Sequence, residues 1–480
     1  MSHVERAAVI NVVGLTETLI GPHTPRISAF RQAGALAKIT PAFPAVTCTA
    51  QSTYLTGATP TGHGIVGNGW YHRELAEVQF WKQSNHLVRG RKLWEELRER
   101  NPGFTCAKLF WWYNMYSSAD YSITPRPMYP ADGRKVFDIY TWPYSVRPQI
   151  KKDLGEFPFP AFWGPAAGVR TPQGSPDAAS RWIAESAKWI ERKYQPTLSL
   201  VYLPHLDYNL QRFGSTNPGP ASTVASSELN PAIIPDLRAI DGIVGDLLEF
   251  FARQSVQVIL LSEYGITTVN QRIHLNRLFR TQNWLAIKDE LGLELLDCGA
   301  SKVFAVADHQ AAHIYLNDRS LEKRVRDLVE NQEGVEQVLG AREKQAFGID
   351  HERAGDLIAV AKENAWFTYY YWMDDRLAPD FARTVDIHRK PGYDPVELFL
   401  DPQLPNPRLK IATRLLQKKL GFRMLMDVTP LDATLVKGSH GRRPADSGDY
   451  PVLISSKSEL LPNPLIEATD VFHVLKRHLA

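Results

Sequence analysis

Residues 43–71, FPAVTCTAQSTYLTGATPTGHGIVGNGWY, hold the most distinctive set of polar residues in the chain. Thr47 precedes the Thr56-Gly57 pair by nine residues, and His63-Gly64 and Asn68 follow. The run from Thr47 to Thr56 predicts a helix. Thr47 would then stand at its N-terminus, where free backbone N–H groups and the positive end of the helix dipole attract anions. Thr is also a favoured helix cap, a structural role that is compatible with anion chemistry.

The wider pattern is that of an α/β protein. Short apolar runs, typical of parallel strands covered on both faces, lie at Ala8–Leu15, Leu198–Leu203 and Val256–Ser262. Residues 228–253 carry apolar side chains at helical spacing, so they form a strand–helix–strand unit with the last two runs. Active-site groups in such sheets collect at the carboxyl ends of the strands. Asp207 and Glu263 each follow such an end closely, which makes them candidate site residues.

A late turn, Gly438-Ser439-His440-Gly441, completes an ordered set of motifs. The order runs from the Thr47–Asn68 block through LSLVYLPHLD (198–207) and VILLSEYG (258–265) to this turn. It resembles that of the type I phosphodiesterase/nucleotide pyrophosphatase family, a part of the alkaline phosphatase superfamily. The resemblance spans Ala8 to about Ile454. It implies an α/β fold with an alkaline-phosphatase-like, mostly parallel sheet flanked by helices.

The resemblance also implies catalytic roles within the first block. Thr47 corresponds to the family's nucleophile, which coordinates a metal and attacks phosphorus. Asn68 fills the place of the phosphate-binding asparagine. Together with the amide of Thr47 it would hold a nonbridging oxygen, as an oxyanion hole does. His63 and Gly64 are interpreted as structural residues.

The first of the family's two zinc sites is partly retained. Asp207 and His440 match its ligands, and Gln211 stands where a second histidine is expected. An amide oxygen beside a carboxylate and an imidazole suits a harder ion than zinc. The resemblance therefore implies a divalent metal at Asp207, Gln211 and His440, either Mn²⁺ or Mg²⁺ or else Zn²⁺.

The second zinc site departs further from the family. The Asp expected after the first strand is Val13, which cannot bind metal, and the expected Asp-His pair is Glu263-Tyr264. Tyrosine binds metal well only as phenolate, and its unperturbed pKa is about 10. Thr47 and Glu263 alone would hold a second ion weakly, so one ion is favoured over two. Tyr264 could instead donate a hydrogen bond to the substrate.

Other side chains could complete a metal site. His205 lies two residues before Asp207, and His309 follows a predicted strand. Asp386 and His388 lie in a loop of the kind that can reach a site. Each of these residues alone is more often structural or solvated. His309 and His388 are the preferred additional ligands, because histidines in loops have freedom to reach.

The chain divides into five segments by composition. Residues 1–84 and 164–303 are the first two parts of the core, and 346–480 is the last part, with an irregular loop at 374–421. Residues 85–163 are dense in Trp, Tyr, Phe and Pro. They predict a cap-like insertion over the carboxyl edge of the sheet, or alternatively core beneath a long loop. Residues 304–345 predict a small α+β subdomain.

Bulk properties exclude several classes of protein. With 55 basic and 52 acidic residues, the net charge of +3 indicates neither a general nucleic-acid-binding surface nor a general membrane-binding one. No run approaches the roughly 18 apolar residues of a membrane span. The first apolar run is also too short for a signal peptide. The three cysteines are scattered without a CxxC pair, so a reducing, cytoplasmic location is expected.

Taken with the resemblance, these features predict a metal-dependent hydrolase. It would act on a phosphorylated small molecule, a phosphate ester or phosphodiester, through Thr47. The altered ligands leave two alternatives open. One is a catalytically degenerate member of the fold that serves as a binding or scaffold protein. The other is a phosphotransferase or mutase of the same superfamily.

Overall fold

The computed structural model describes residues 5–171, 174–217 and 228–479. Its strands are β1 (Ala7–Val12), β2 (Ala35–Thr40), β3 (Gly69–His72), β4 (Glu77–Phe80), β5 (Cys106–Leu109), β6 (Tyr121–Pro125), β7 (Ile139–Trp142), β8 (Leu198–Leu203), β9 (Gln257–Leu261), β10 (Thr267–Thr268), β11 (Gln271–Ile273), β12 (Ala286–Glu290), β13 (Leu293–Asp297), β14 (Val303–Asp308), β15 (Ala311–Leu316), β16 (Val335–Leu339), β17 (Leu357–Ala361), β18 (Ala365–Phe367), β19 (Gly438–Ser439), β20 (Val452–Ser455) and β21 (Leu465–Glu467). Its helices are α1 (Pro25–Ala33), α2 (Thr47–Thr56), α3 (Pro60–His63), α4 (Leu93–Arg100), α5 (Val146–Leu154), α6 (Ala178–Tyr194), α7 (His205–Phe213), α8 (Ile234–Arg253), α9 (Leu275–Thr281), α10 (Glu322–Glu330), α11 (Ala341–Ala346), α12 (Pro407–Lys419) and α13 (Asp470–His478).

The central sheet has nine strands in the order β21-β2-β20-β9-β1-β8-β5-β6-β7. The run β9-β1-β8-β5-β6 is parallel throughout. Antiparallel pairing occurs where β20 joins β2 and β9, and where β7 joins β6. Helices α6 and α8 pack against β8 and β9, and α2 packs against α13. The predicted fold class, a mostly parallel sheet flanked by helices, is confirmed.

The parallel strands of the sheet position the functional residues. Every residue of β1 and β8 is buried, because strands covered on both faces must be apolar along their whole length. Val12, the last residue of β1, pairs with Leu203, the last residue of β8. The carboxyl ends therefore meet at one edge of the sheet. Asp207 and Glu263 lie in the segments that leave this edge.

The segment 85–163 differs from the predicted cap. It supplies β5, β6 and β7 to the central sheet, so its middle belongs to the core. These strands are only four or five residues long, too short for an alternating pattern to stand out among aromatic residues and prolines. Trp111, Trp112 and Tyr113 are all buried in the core, and Trp112 also lines a pocket. Trp142 and Tyr144 are exposed.

A second sheet of four antiparallel strands has the order β14-β15-β17-β16, with α10 packed against β16. It corresponds to the predicted subdomain at 304–345 but extends to Ala361, because β17 lies between β15 and β16. The strand character of residues 357–361 is evident in the sequence. Its assignment to this sheet depends on pairing between distant residues, which local patterns do not encode.

The segment 374–421, predicted to be an irregular loop, contains helix α12. Pro407 occupies its first turn and the side chain of Asn406 accepts the N–H of Leu409, both common at helix starts. None of its residues is buried, so the helix lacks the core-facing stripe on which the prediction relied. Neither this helix nor any other in the described part of the chain is long and apolar enough to cross a membrane.

Candidate active site

A pocket at the carboxyl edge of the parallel strands encloses about 430 Å³ of empty space, part of it open to solvent. Its polar lining comes from residues far apart in the sequence, all of them candidates from the sequence analysis. They are Thr47, Asn68, Asp207, Gln211, Tyr264, His309 and His440. Its other side is apolar or aromatic and includes Trp81, Trp112, Phe162, Trp163, Tyr202, Tyr208, Ile387 and Tyr393.

Thr47 is the first residue of α2, and Val46 before it takes the cap position. The Thr47 side chain therefore does not cap the helix. It is buried, and its Oγ1 lies 3.0 Å from Tyr264 Oη. The backbone N–H of Thr47 has no acceptor among the described residues, as expected in the first turn of a helix. This N–H and the helix dipole are available to an anion bound beside Thr47.

Tyr264 links Thr47 to a carboxyl group. Its Oη donates to Asp207 Oδ1 at 3.2 Å, so it accepts the hydroxyl hydrogen of Thr47. The Tyr264 ring stacks on that of His440 with 3.7 Å between centroids. Burial, with the neighbouring carboxyl charges, raises the pKa of the Tyr264 phenol. The phenol thus keeps its proton and is a poor metal ligand.

Helix α7 presents Asp207 and Gln211 on one face, because the two residues lie one turn apart. Gln211 Nε2 donates to Asp207 Oδ2 at 2.7 Å. Gln211 Oε1 is buried and has no hydrogen-bond partner among the described residues. Burial raises the pKa of Asp207 to about 7. A positive charge nearby would favour its ionised form.

His440 is held close to α7 by the glycine-rich turn around it. A Cβ on Gly438 would lie 2.1 Å from the carbonyl oxygen of Leu210, so this approach requires glycine. His440 Nδ1 lies 2.8 Å from the carbonyl oxygen of Ala45. Because a carbonyl only accepts, Nδ1 carries the hydrogen and Nε2 carries the lone pair. Burial lowers the pKa of His440 to about 3, so its imidazole is neutral and able to bind metal.

These donors fit one divalent cation. Asp207 offers carboxylate oxygens, Gln211 an unpartnered carbonyl oxygen and His440 an imidazole nitrogen. Mn²⁺, Mg²⁺ and Zn²⁺ all accept oxygen-rich sets of this kind. Within residues 5–171, 174–217 and 228–479, no group of three or more His, Cys, Asp or Glu side chains could hold a metal ion. The amide of Gln211 is therefore needed to complete the set.

The second set of family positions keeps fewer candidate metal ligands than the first. Glu263 Oε1 accepts hydrogen bonds from Asn11 Nδ2 at 2.5 Å and Gln51 Nε2 at 2.6 Å. Burial raises the pKa of Glu263 to about 8, so the carboxyl group is largely protonated at neutral pH. Val13 is part of the core. Amide groups thus engage Glu263 Oε1, while Glu263 Oε2 and Asn11 Oδ1 have no hydrogen-bond partner among the described residues.

Asn68 is fixed beside Thr47 by hydrogen bonds from the small sheet. Its backbone N–H donates to Asp308 Oδ2 at 2.7 Å. Its side-chain Nδ2 donates to Asp308 Oδ1 at 3.2 Å and to Tyr393 Oη at 3.0 Å. Its Oδ1 accepts the N–H of Cys48, in the first turn of α2, at 3.0 Å. Both hydrogens of the Asn68 amide group are thus engaged.

The same cluster orients His309, which lies in the hairpin between β14 and β15. Its φ is +59°, an uncommon value for a residue other than glycine. Tyr393 donates its own hydrogen to Asp308, so the His309 Nε2 that lies 2.8 Å from Tyr393 Oη carries a hydrogen. His309 Nδ1 then bears a lone pair, without a partner among the described residues. Burial lowers the pKa of His309 well below its usual range, so the ring is neutral.

The other candidates from the sequence lie outside the pocket lining. His205 is two positions before Asp207 on α7 and so lies on another face of the helix, where its Nε2 is 2.9 Å from Asp236 Oδ1. Asp386 pairs with a lysine at 3.1 Å. His388 Nδ1 lies 3.1 Å from a backbone carbonyl oxygen.

Two supporting residues escape the sequence analysis. Gln51 holds Glu263, and its Oε1 accepts the backbone N–H of Trp112 at 2.7 Å. Gln51 lies one helical turn after Thr47, a spacing that could have indicated it. Tyr393, which joins Asn68 to the hairpin, gives no such signal, because it is more than 300 residues from Asn68 in the chain.

Aromatic side chains form the wall above this polar floor. The ring centroids of Trp81 and Trp112 are 4.6 Å apart, and those of Trp81 and Tyr393 are 5.2 Å apart. No lysine or arginine in the described ranges lines the pocket. A site with buried carboxyl groups and no basic side chain favours a ligand with few negative charges.

A family profile for type I phosphodiesterase/nucleotide pyrophosphatase matches residues 7–394. The chain belongs to this family. Its members are phosphodiesterases and pyrophosphatases, so the predicted class of hydrolase is confirmed. No curated protein matches the sequence.

Solved structures show the same fold at low sequence identity. Phosphonoacetate hydrolase from Sinorhizobium meliloti, in complex with phosphonoformate, aligns with a TM-score of 0.58 and 12% identity, over 99% of this chain and 96% of that one. Murine ectonucleotide pyrophosphatase/phosphodiesterase 5 aligns with a TM-score of 0.55 and 13% identity, over 99% and 95%. An inactive variant of the murine protein, solved in complex with AMP, aligns with a TM-score of 0.55 and 14% identity, over 99% and 95%.

Proposed function

We propose that this family member hydrolyses a phosphate ester or phosphodiester, with Thr47 as the nucleophile and one divalent cation at Asp207, Gln211 and His440. The observation that carries the proposal is the convergence of these residues on a single pocket at the N-terminus of α2. Hydrolase activity follows from the family. The nucleophile, the ion and the kind of substrate are the proposed part.

Thr47 Oγ1 attacks phosphorus as its hydroxyl proton passes through Tyr264 to Asp207. The bond from phosphorus to the leaving oxygen breaks, the leaving oxygen departs with the bonding electron pair, and a phosphorylated threonine remains. Tyr264 is placed for this transfer, because its hydroxyl lies 3.0 Å from Thr47 Oγ1 and 3.2 Å from Asp207 Oδ1. Support for this role is the burial of the whole chain of bonds.

The backbone N–H of Thr47 and the amide of Asn68 hold a nonbridging oxygen of the substrate. To do so, Asn68 Nδ2 gives up its hydrogen bond to Asp308 Oδ1 and donates to the substrate oxygen instead. Its bond to Asp308 Oδ1 is the longer of the two made by Nδ2, at 3.2 Å against 3.0 Å for the bond to Tyr393. Asp308 keeps its bond to the Asn68 backbone, so Asn68 stays in place.

Asp207, Gln211 and His440 would hold the cation. When bound, it would supply positive charge near the nonbridging oxygens and the nucleophile. His440 contributes through Nε2, since Nδ1 is committed to Ala45. Asp207 and Gln211 contribute oxygens, with their mutual hydrogen bond fixing both side chains.

Water then attacks phosphorus, the bond from phosphorus to Thr47 Oγ1 breaks, and a proton returns from Asp207 through Tyr264 to Thr47 as the phosphate product leaves. His309 is suited to receive a hydrogen bond from this water, because its Nδ1 bears a lone pair without a partner among the described residues. Burial keeps the ring neutral, so the lone pair is available at neutral pH. The strained backbone of His309 is consistent with a positioned functional residue.

The substrate we propose is a small phosphorylated molecule with an apolar or ring-bearing leaving group. The aromatic wall and the absence of basic side chains in the described lining support it. The neighbouring structures hold phosphonoformate in one case and AMP in the other. Each of those two ligands carries a single phosphorus atom. We propose a substrate with one phosphoryl group beside Thr47 for the same reason.

Turnover of aryl phosphate monoesters and diesters with Mn²⁺, Mg²⁺ or Zn²⁺ tests the proposal. Thr47→Ala is expected to lower kcat by roughly 10³-fold or more, because the attacking oxygen is removed. Thr47→Ser keeps that oxygen and should retain most activity. Equal activity in Thr47→Ala and the natural protein would contradict the proposal.

The altered residues at the family's second metal position favour one further candidate function, in which the protein binds phosphoesters without hydrolysing them. In that case the natural protein binds phosphoesters but releases no product with any of the three ions, and Thr47→Ala only weakens binding. A phosphotransferase would instead accumulate a stable phosphorylated Thr47, which mass spectrometry detects.

A further inference from the structure

Helix α12 turns its leucines towards solvent. Leu409, Leu416 and Leu420 follow one another at helical spacing and share one side of the helix. Their exposed fractions are 64%, 55% and 64%, and that of Phe422 just beyond the helix is 64%. We call these four residues the leucine face. Surface helices normally direct such a stripe towards the core. In this helix the apolar stripe faces solvent instead.

The opposite side of α12 is charged and is bound to the protein. Lys410 Nζ and Arg414 Nη2 lie 2.8 Å and 3.1 Å from the carboxylate of Asp427. Lys418 Nζ donates to the carbonyl oxygen of Lys135 at 3.2 Å. These contacts fix the rotation of the helix about its axis. The leucine face is therefore a stable part of the surface.

The segment around the leucine face is strongly basic. Residues 407–426 contain no Asp or Glu and six basic residues, which are Arg408, Lys410, Arg414, Lys418, Lys419 and Arg423. Arg408, Lys419 and Arg423 are exposed, whereas two of the others are paired with Asp427. Arg423 Nε donates to the carbonyl oxygen of Asp132 at 3.2 Å. Apolar side chains and exposed positive charges thus share one surface.

We propose that the leucine face docks on the surface of an anionic lipid bilayer. A contiguous set of exposed apolar side chains marks an interaction surface. Leucine and phenylalanine side chains partition into the boundary between headgroups and acyl chains, and basic side chains around them attract anionic headgroups. A second copy of this chain is a poorer occupant, because its equivalent face is equally positive.

Helix α12 is connected to the pocket from its charged side, opposite the leucine face. Lys418 contacts Lys135, whose Nζ lies 3.1 Å from Asp386 Oδ1. The next residue, Ile387, lines the pocket. Docking itself is independent of the proposed function, while a lipid-borne phosphoester as substrate rests on it.

Flotation of the full chain with vesicles tests the docking. We expect binding to phosphatidylcholine vesicles that contain phosphatidylglycerol, and weaker binding to phosphatidylcholine alone or at high salt. In a variant with Leu409→Gln, Leu416→Gln and Leu420→Gln, the affinity for anionic vesicles should fall by about tenfold or more. A matched variant with Leu75→Gln, Leu291→Gln and Leu465→Gln, all exposed elsewhere, should bind as the natural protein does. Thermal unfolding of both variants verifies that they fold.

Three results would overturn the proposal. One is that the natural protein does not float with anionic vesicles, and another is that the Leu409/Leu416/Leu420 variant floats equally well. The third is a sedimentation velocity result in which the natural protein is a dimer and this variant a monomer, which would assign the face to self-association. Thr47→Ala should float normally, so failure of the docking and failure of the proposed catalysis are distinguishable.

Discussion

Tyr264 provides a hydrogen-bonded bridge where the family is expected to have a metal ligand. Its hydroxyl lies between the proposed nucleophile, Thr47, and the carboxyl group of Asp207. Its ring also covers one face of His440. A single residue thus orients the nucleophile and packs against a proposed ligand. The two contributions can be separated, because phenylalanine retains the ring and lacks the hydroxyl.

We predict that Tyr264→Phe lowers kcat by roughly 10²-fold and leaves KM and metal content unchanged. The physical reason is that Thr47 loses its orienting partner while the ion and the pocket wall remain. Steady-state kinetics and elemental analysis measure both effects. Tyr54→Phe is the control, since it loses a buried hydrogen bond to Ser262 at 2.9 Å outside the pocket lining. A loss of bound metal in Tyr264→Phe would contradict the account, because it would make Tyr264 a ligand.

We predict that Gln211 influences which ion the proposed site prefers. Gln211→His replaces a neutral amide oxygen by an imidazole, and we expect zinc affinity to rise about tenfold or more relative to Mn²⁺. Competition titration with a zinc chelator measures the change. The same substitution at the exposed Gln282 should leave zinc affinity as it is. Unchanged affinity in Gln211→His would mean that residue 211 does not contact the ion.

The sequence indicates those site residues that occur in local motifs. Thr47, Asp207 and His440 follow a helix start, a strand end and a glycine turn, and each lines the pocket. Tyr393 and Asp308 could not be found in this way as partners of Asn68. Their contacts with it depend on how the small sheet docks on the core, which residue spacing does not reveal.

The hairpin between β14 and β15 holds Asn68 in place at one side of the pocket. We call the hydrogen-bonded group of Asn68, Asp308, His309 and Tyr393 the Asn68 cluster. Asp308 at its start holds Asn68, and Tyr393 closes the cluster from another segment. A buried hydroxyl that joins three partners is costly to remove, because His309 Nε2 loses its partner and Asn68 and Asp308 each lose one hydrogen bond.

Tyr393→Phe should therefore lower the free energy of unfolding by about 1–3 kcal/mol and also lower kcat/KM. Urea denaturation and steady-state kinetics measure the two losses. Tyr208→Phe is the matched control, since its buried hydroxyl has no partner among the described residues. Equal unfolding free energies for Tyr393→Phe and Tyr208→Phe would show that the hydrogen bonds of Tyr393 do not stabilise the fold.

Two elements show where sequence patterns stop being informative. Strands β5 to β7 are too short for their alternation to be recognised among the surrounding aromatic residues. Helix α12 has its apolar side chains directed to solvent, so a search for core-facing stripes misses it. The mostly apolar strands β1, β8 and β9 and the helix α8 are predicted correctly, because burial on both faces or on one stripe dictates their composition.

The molecule as a whole buries several carboxyl groups below one pocket. Burial raises the pKa values of Asp207, Glu263 and Asp308 to about 7, 8 and 6. A carboxyl group whose pKa is higher in the folded state stabilises the fold while protonated, and this contribution is lost as the pH rises. An acidic floor without basic side chains in the described lining is therefore a reason for the protein to bind a cation.

For Glu263 we predict a measurable pH effect. Between about pH 5 and pH 8, the unfolding free energy of the natural protein should fall relative to that of Glu263→Gln. The reason is that the carboxyl group must lose its proton between its ordinary pKa of 4.5 and its folded value of about 8. Denaturation at several pH values measures the difference. Glu290→Gln, at an exposed position, should follow the natural protein. A difference that stays constant with pH would contradict the burial argument.

The most direct test of the account is to identify the covalent intermediate. The protein is mixed with an aryl phosphate ester and Mn²⁺, quenched in acid within the first turnover, digested and analysed by mass spectrometry. The account predicts a phosphoryl group on Thr47 in the natural protein and none in Thr47→Ala. Product release with no modified Thr47, or modification of another residue, would contradict it.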